Sequence, residues 1–244
     1  MLQKGDKKLT HGWAFYDWAN SVYSLVISTA VFPIYYETVT QTESGLVNFL
    51  GLQFNNTSLY TYALSFSFLI VAFISPVLSG IAEYVGNKKS YMKFFCYFGS
   101  LSVMSLYFFE GIDTLWIGIV FSVFASIGFW GSLVFYNAYL PEIAYSDQQD
   151  KVSALGFIYG YIGSVLLLIF NLSMVMKPEW YGISDVGLAP RISFLTVGLW
   201  WMGFAQFTFR RLPYNAQNKK PHKDYIFKGF KELQKVLFEL MDQP

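Results

Sequence analysis

The sequence predicts an all-α integral membrane protein with six transmembrane helices and a C-terminal cytoplasmic amphipathic helix. Three observations carry this. Hydrophobic residues make up 54% of the 244 positions and charged residues only 14%, against about 25% charged in ordinary soluble domains. Six apolar runs reach the length of roughly 20 residues that a spanning helix needs. The Lys and Arg residues between these runs alternate between a rich set of flanks and a poor one.

The runs cover 13–36, 59–82, 91–109, 114–139, 152–176 and 191–209. Each reads as a helix, because a helix satisfies its own backbone groups in hydrocarbon. Transmembrane strands would be about ten residues long and strictly alternating. The third run is the shortest, and Lys93 near its start can snorkel to the interface. The first run is long and interrupted by polar residues, and it lacks the small-x-small site of a cleaved signal peptide, so it reads as a retained span. Asn55 and Asn56 open N-x-S/T matches that carry meaning only in a secretory host.

Lys4, Lys7, Lys8, Lys88, Lys89, Lys93, Lys151, Arg210 and Arg211 fall on one set of flanks. The other holds Lys177 and Arg191 against Glu37, Glu43, Glu110, Asp113, Glu179 and Asp185. The positive-inside rule then puts both termini in the cytoplasm, and an even number of spans agrees. The expected organisation is a cytoplasmic tail over 1–12, a six-helix bundle over 13–209 and a cytoplasmic linker over 210–244. In the linker, Ile226, Phe230, Leu233, Leu237 and Leu240 share one helical face and Lys228, Lys231 and Lys235 the opposite one, with Asp224 placed to cap the start. Such a helix lies on the membrane surface or packs on another protein segment.

The first run carries a polar stripe. At 100° per residue, Asp17, Asn20, Ser21, Ser24 and Ser28 fall within about 100° of arc, while Trp18, Val22, Leu25 and Val26 face elsewhere. In the fourth run Ser122, Ser126, Trp130 and Asn137 share a face. In the fifth, Ser153, Gly156, Gly160, Gly163 and Ser164 form a small-residue face of the kind that lets helices approach closely. Asp17 has two readings: an acid lining an internal polar cavity, or a wet acid favoured by the positive end of its helix. Ser stripes also serve plain helix packing, but the three faces together point to a cavity.

No enzymatic constellation is visible: there is no H-E-x-x-H, phosphate loop or nucleophile elbow. His11 and His222 lie in polar flanks, and Cys96 is the single cysteine, so neither a metal nor an internal disulfide is expected. No cofactor and no nucleic acid are expected either.

The loop "SGIAEYVGNKKS", Ser79 to Ser90, holds E-x-x-G-x-K-K over Glu83, Gly86, Lys88 and Lys89. It resembles the cytoplasmic signature between helices 2 and 3 of the major facilitator superfamily. Glu83 stands where Asp is commoner, and Ser79 where the pattern opens with Gly. "YDWANSVYSLVISTAVFPIYY" and "YNAYLPEIAYSDQQDKVSALGFIYGYIGSVLLL" are similar to the vacuole effluxer-like branch of that superfamily, over essentially the whole chain. The resemblance implies a secondary transporter of small solutes, amino-acid efflux among its activities, working by alternating access without a cofactor. It implies that Asp17, Asn20, Ser24, Trp130 and Asn137 line the central cavity, and that Glu83, Gly86, Lys88 and Lys89 belong to a cytoplasmic gate. Gly156, Gly160 and Gly163 are the helix-packing candidates. The fourth run lacks the Arg of many proton-coupled members. Tyr161 follows Gly160, where the antiporter motif has Pro. Coupling and antiport therefore do not carry over.

Members of the superfamily have about twelve helices in two related halves. The chain is therefore expected to be the N-terminal half of a major facilitator fold, in the bacterial plasma membrane. Its partners would be the lipid bilayer, a small-molecule solute and a second six-helix half or a homodimer. The alternative is an inert truncated product or a non-transporting membrane assembly partner. An integral-membrane enzyme would need a paired acid and base or a metal cluster facing a cavity.

Overall fold

The computed structural model describes residues 3–84, 87–185 and 187–213, apart from the side chains of 81, 83 and 84. The expected amphipathic helix, Gly86 and the Glu83 side chain lie outside the described residues.

Helix α1 (Lys7–Val22) begins six residues before the apolar run, inside the stretch expected to be a tail. The cause is local: the Asp6 carboxylate accepts a 2.7 Å bond from the Lys8 amide and caps the first turn. Leu9 and Trp13 are then buried. The helix continues as a π-helix over Tyr23–Val31 and returns to α geometry in α2 (Phe32–Thr40). Pro33 stands at the second junction and has no N–H to give, so the change of ladder strands no donor there. A short hairpin follows, β1 (Leu46–Phe49) against β2 (Leu52–Asn55). Its two-residue turn is Leu50–Gly51, with φ of 54° and 80°, the left-handed pair that a tight hairpin turn needs. The sequence did not announce this turn, because Leu replaces the Asn or Asp that marks it.

The remaining helices are α3 (Asn56–Tyr84), α4 (Lys88–Ser105), α5 (Leu115–Asn137), the single turn α6 (Leu140–Ile143), α7 (Gln149–Met176) and α8 (Leu188–Arg211). Among the described residues, five helical stretches are long and apolar enough to cross a membrane: Lys7–Thr40, Asn56–Gly80, Ile112–Ile143, Gln149–Met176 and Leu188–Arg211. The remaining expected span, the third run, corresponds to α4, which does not qualify because Lys88, Lys89 and Lys93 crowd its first two turns.

Helix α4 nevertheless runs antiparallel to both α5 and α8 along their length. At its start, Lys88 Nζ donates to the Ala138 carbonyl at 3.0 Å and pairs with Glu142 at 2.6 Å, while Lys89 Nζ reaches the Leu212 carbonyl at 2.8 Å. At its middle Gly99 meets Gly128 of α5, where an added Cβ on Gly128 would stand 2.5 Å from the Gly99 amide nitrogen. The Trp201 ring of α8 closes over the same point and is fully buried. Beyond its end, the Arg191 guanidinium of α8 lies over Tyr107 and pairs with Glu110.

Hydrogen bonds sort the chain ends and loops into two groups. Gly5 donates to the Ile143 carbonyl at 2.8 Å, Lys4 Nζ to the Pro141 carbonyl at 2.7 Å and Tyr139 OH to the Pro213 carbonyl at 3.2 Å. The N-terminal region, the start of α4, α6 and the end of α8 thus share one end of the bundle. At the other end Tyr35 OH donates to the Phe109 carbonyl at 2.8 Å, and Arg191 Nε to the Tyr107 carbonyl at 2.6 Å. The Lys/Arg-rich and Lys/Arg-poor flanks fall on opposite ends, as the alternation in the sequence predicts.

Candidate functional site

A cavity of about 450 Å³ lies between α1, its π-helical continuation, α5 and α7. Helix α1 contributes Trp13, Asp17, Asn20 and Ser21, and the π segment contributes Ser24, Leu25 and Thr29. Four of the five stripe residues read from the sequence therefore line one cavity. The exception is Ser28. A π-helix bonds i to i+5, so the residue stacked over Ser24 is Thr29, whose hydroxyl donates to the Ser24 carbonyl at 2.9 Å. A stripe drawn at 3.6 residues per turn lands one position short.

Asp17 is held, not loose. Its Oδ2 accepts a 2.9 Å bond from the Tyr136 hydroxyl of α5. Tyr136 is itself fixed by Trp13, which stacks on it at 4.1 Å with planes 6° apart and donates from Nε1 to the Tyr136 carbonyl at 2.8 Å. The glycines of α7 make room for this pair. A Cβ on Gly156 would stand 2.5 Å from Asp17 Oδ2 and 3.0 Å from the Tyr136 hydroxyl; one on Gly160 would stand 2.6 Å from Ser21 Oγ; one on Gly163 would meet Trp18. The small-residue face is thus the seat on which the polar face of α1 rests. Tyr136 was not singled out in the sequence, although Asn137 beside it was. Its signal was an aromatic hydroxyl one position from a marked amide, which a search for amides and acids passes over.

The cavity carries unspent hydrogen-bonding capacity. Asn20 is 1% exposed, and its Nδ2 has no partner among the described residues. The same holds for the hydroxyl of Ser164, another lining residue. Buried donors of this kind are rarely left unmade. Asp17 is the one charged residue among the lining residues described. Much of the remaining wall is aromatic, from Trp13, Phe129, Tyr136, Phe157 and Tyr161, with Leu25 and Leu133 adding aliphatic surface. Phe157 and Tyr161 are more than 70% exposed, so the cavity opens past α7 rather than closing.

Of the other sequence candidates, Asn137 lines the cavity and is exposed. Trp130 is not among the residues that line this cavity. Its half-exposed ring lies edge-on to Phe68 of α3 and to Phe129. Ser126, one turn before it, donates no bond into the cavity but accepts one from Ser67 of α3 at 2.9 Å. This face of α5 is spent on packing against α3, and Phe129 takes the cavity wall instead. Lys88 and Lys89 sit at the Lys-rich end, both buried and both bonded to backbone carbonyls that end a neighbouring helix, where a cation complements the helix dipole. Glu142, the carboxylate that pairs with Lys88, is a further residue of this cluster that the loop motif by itself did not indicate.

The chain matches the model of the family described as vacuole effluxer Atg22 like, over residues 5–149 and 142–244. It is 33% identical to an uncharacterized MFS-type transporter, YxiO, of Bacillus subtilis, over 95% of the chain and 53% of that protein. It is 24% identical to autophagy-related protein 22 of Coccidioides immitis, over 81% of the chain and 46% of that protein. Autophagy-related protein 22 of Pyricularia oryzae is likewise 24% identical, over 53% of the chain and 23% of that protein. The chain therefore spans about half the length, or less, of these relatives. No solved structure matches it. An acid-bearing cavity inside a bundle of apolar helices and a family match over nearly the whole sequence lead to one conclusion: the chain is an integral membrane protein of the vacuole effluxer Atg22-like family.

Proposed function

We propose that the chain forms the N-terminal six-helix half of a secondary transporter that moves small solutes by alternating access. The observation that carries this reading is the Asp17 cavity: an oriented carboxylate and unpaired buried donors inside a bundle whose outer surface is apolar. Such groups are costly in hydrocarbon and belong to a solute path.

Helix α4 is assigned as the third of six crossings. Its 18 residues span roughly 27 Å at 1.5 Å each, close to the hydrocarbon thickness of about 30 Å. It also lies end to end beside two helices that qualify as spans. The Lys-rich end of the bundle is taken as cytoplasmic, which places the start of α4 and its Lys88–Glu142 pair there. The membrane is taken as the bacterial plasma membrane, as befits the similarity to a Bacillus protein. The cavity opens past α7, so a second six-helix body is assigned to close it. Amino acids are the first solutes to test.

Two outcomes are decisive. Purified chain is reconstituted into vesicles at one copy each, counted by photobleaching, and at many copies, and amino-acid flux is followed. Flux is expected only where a second six-helix body is present, and saturable flux from single-copy vesicles overturns the half-transporter reading. Asp17→Asn is expected to reduce the flux of active vesicles at least tenfold with insertion unchanged. Undiminished flux returns Asp17 to a helix-end role.

A further inference from the structure

We propose that the outer face of α1, where it lies between α7 and α8, binds one anionic phospholipid, with the phosphate at the Lys-rich end and an acyl chain laid along an aromatic strip. The inference rests on the chain being an integral membrane protein and not on the solute path. This face is turned away from the Asp17 cavity. At 100° per residue, Lys7, Lys8, His11, Phe15 and Trp18 fall within about 100° of arc on α1, opposite Trp13 and Asn20 of the cavity wall. On α7, Tyr159 lies about 160° around the helix from Phe157 and Tyr161 at the cavity mouth.

The aromatic strip is continuous and one leaflet deep. Phe15 meets Phe207 of α8 with ring centres 4.6 Å apart, and Tyr159 and Phe204 at 6.0 and 6.2 Å. Trp18 follows, 5.8 Å from Phe15 and stacked on Trp200 at 5.5 Å. Hydrogen bonds fix the three helices to one another here: Trp200 Nε1 donates to the Trp18 carbonyl at 3.0 Å, and His11 shares a 2.9 Å bond with the Tyr159 hydroxyl. Phe204 and Phe207 stay exposed, and Phe15 and Trp18 are half-buried. From Arg211 to Trp200, α8 rises roughly 16 Å at 1.5 Å per residue. That is about half of the roughly 30 Å hydrocarbon thickness, the reach of an acyl chain within one leaflet.

The charged end selects the headgroup. Gly12 lets α8 come close: a Cβ there would stand 2.6 Å from Arg211 Cβ. Lys8 lies one turn before Gly12, so Lys8 and Arg211 share the end of the strip. The Arg211 guanidinium lies over the Phe207 ring, with Cζ 4.7 Å from the ring centre. Stacking covers the guanidinium face and leaves its N–H edge, which is the part that grips phosphate oxygens in pairs. Lys7, Lys8 and Arg211 are exposed and enter no ion pair among the described residues. Asp6, the carboxylate beside them in sequence, accepts from the Lys8 amide. A zwitterionic headgroup would bring a further cation to this cluster, whereas an anionic one brings net negative charge. Arg210 is equally exposed but stands 100° around α8 from Arg211, off the aromatic strip.

The full chain in detergent micelles is titrated with phosphatidylglycerol or phosphatidylcholine of identical acyl chains, and bound lipid is counted by native mass spectrometry. The first phosphatidylglycerol is expected to bind at least roughly fivefold more tightly than phosphatidylcholine. Arg211→Gln keeps the methylenes that pack on Gly12 and removes the guanidinium. It should lose most of that preference with an unchanged melting curve. Arg210→Gln removes the same charge from the neighbouring face and should lose none of it. Equal losses from the two variants overturn the site in favour of diffuse attraction to the basic end. A phosphatidylglycerol with a photoactivatable acyl chain locates the lipid on the unaltered chain, so this readout needs no variant. Adducts are expected within 8–18 and 200–211. Adducts confined to other helices, or to 214–244 lying over the strip, overturn the proposal. So does loss of the phosphatidylglycerol preference to competing glycerol phosphate, because the acyl chain would then contribute nothing.

Discussion

Replacing Gly156 by alanine puts a methyl group where Asp17 and Tyr136 meet. Its carbon would stand 2.5 Å from Asp17 Oδ2 and 3.0 Å from the Tyr136 hydroxyl, whereas carbon–oxygen contacts settle near 3.3 Å or beyond. The carboxylate must withdraw by roughly 0.8 Å, or α1 and α7 must part. The first is cheaper, because the obstruction is the far end of a side chain and not backbone. Withdrawal stretches the 2.9 Å bond from Tyr136 to a length at which it no longer counts as one. Side-chain hydrogen bonds inside membranes average about 0.6 kcal/mol and reach about 1.7, and a charged acceptor pushes toward the top of that range. The coupling between Gly156 and Tyr136 should therefore be about 1.5 kcal/mol. The assay is a double-mutant cycle on the purified chain, read by reversible unfolding in mixed micelles. Tyr136→Phe should destabilise the parent by about 1.5 kcal/mol and the Gly156→Ala background by nearly nothing, since the bond it removes is already broken. Two costs that add within about 0.4 kcal/mol would refute the reasoning. Gly160→Ala, whose methyl group would stand 2.6 Å from Ser21 Oγ and 3.3 Å from Asp17 Cβ, serves as the neighbouring control and should couple weakly to Tyr136.

Gly128→Ala should be the most damaging alanine in the bundle, with an expected loss of about 3 kcal/mol or failure to fold. Its Cβ meets the Gly99 backbone and the Phe95 carbonyl, which cannot turn aside, whereas Gly203→Ala has open space and should be neutral or slightly stabilising. For sidedness, a cysteine is placed at Ser58 or at Ser90 in a Cys96→Ala background, and intact cells are treated with an impermeant thiol reagent. Ser58 should label and Ser90 should not, and the opposite pattern would invert the orientation.

Fold class, the position of five spans and the separation of Lys-rich from Lys-poor flanks were legible in the sequence, because hydrocarbon imposes one rule on every spanning segment. A long apolar run must be a helix, and charge between runs must follow the two sides. The stripe from Asp17 to Ser24 was legible for the same reason, since α-helical periodicity is a property of the chain alone. What followed it was not. The switch to i→i+5 bonding over Tyr23–Val31 moved the stripe from Ser28 to Thr29, and no local residue pattern marks that change. Trp130 and Phe129 are adjacent aromatics in the sequence. Only the packing of α3 on α5, through Ser67 and Ser126, decided which of the two faces the cavity. Tyr136 and Glu142 became partners of Asp17 and Lys88 across 119 and 54 positions of chain, and no periodicity reaches that far. The glycines of α7 show the division most plainly: their spacing announced a close helix contact, but that the contact seats a carboxylate depends on which helix arrives there, which is a property of the assembled bundle.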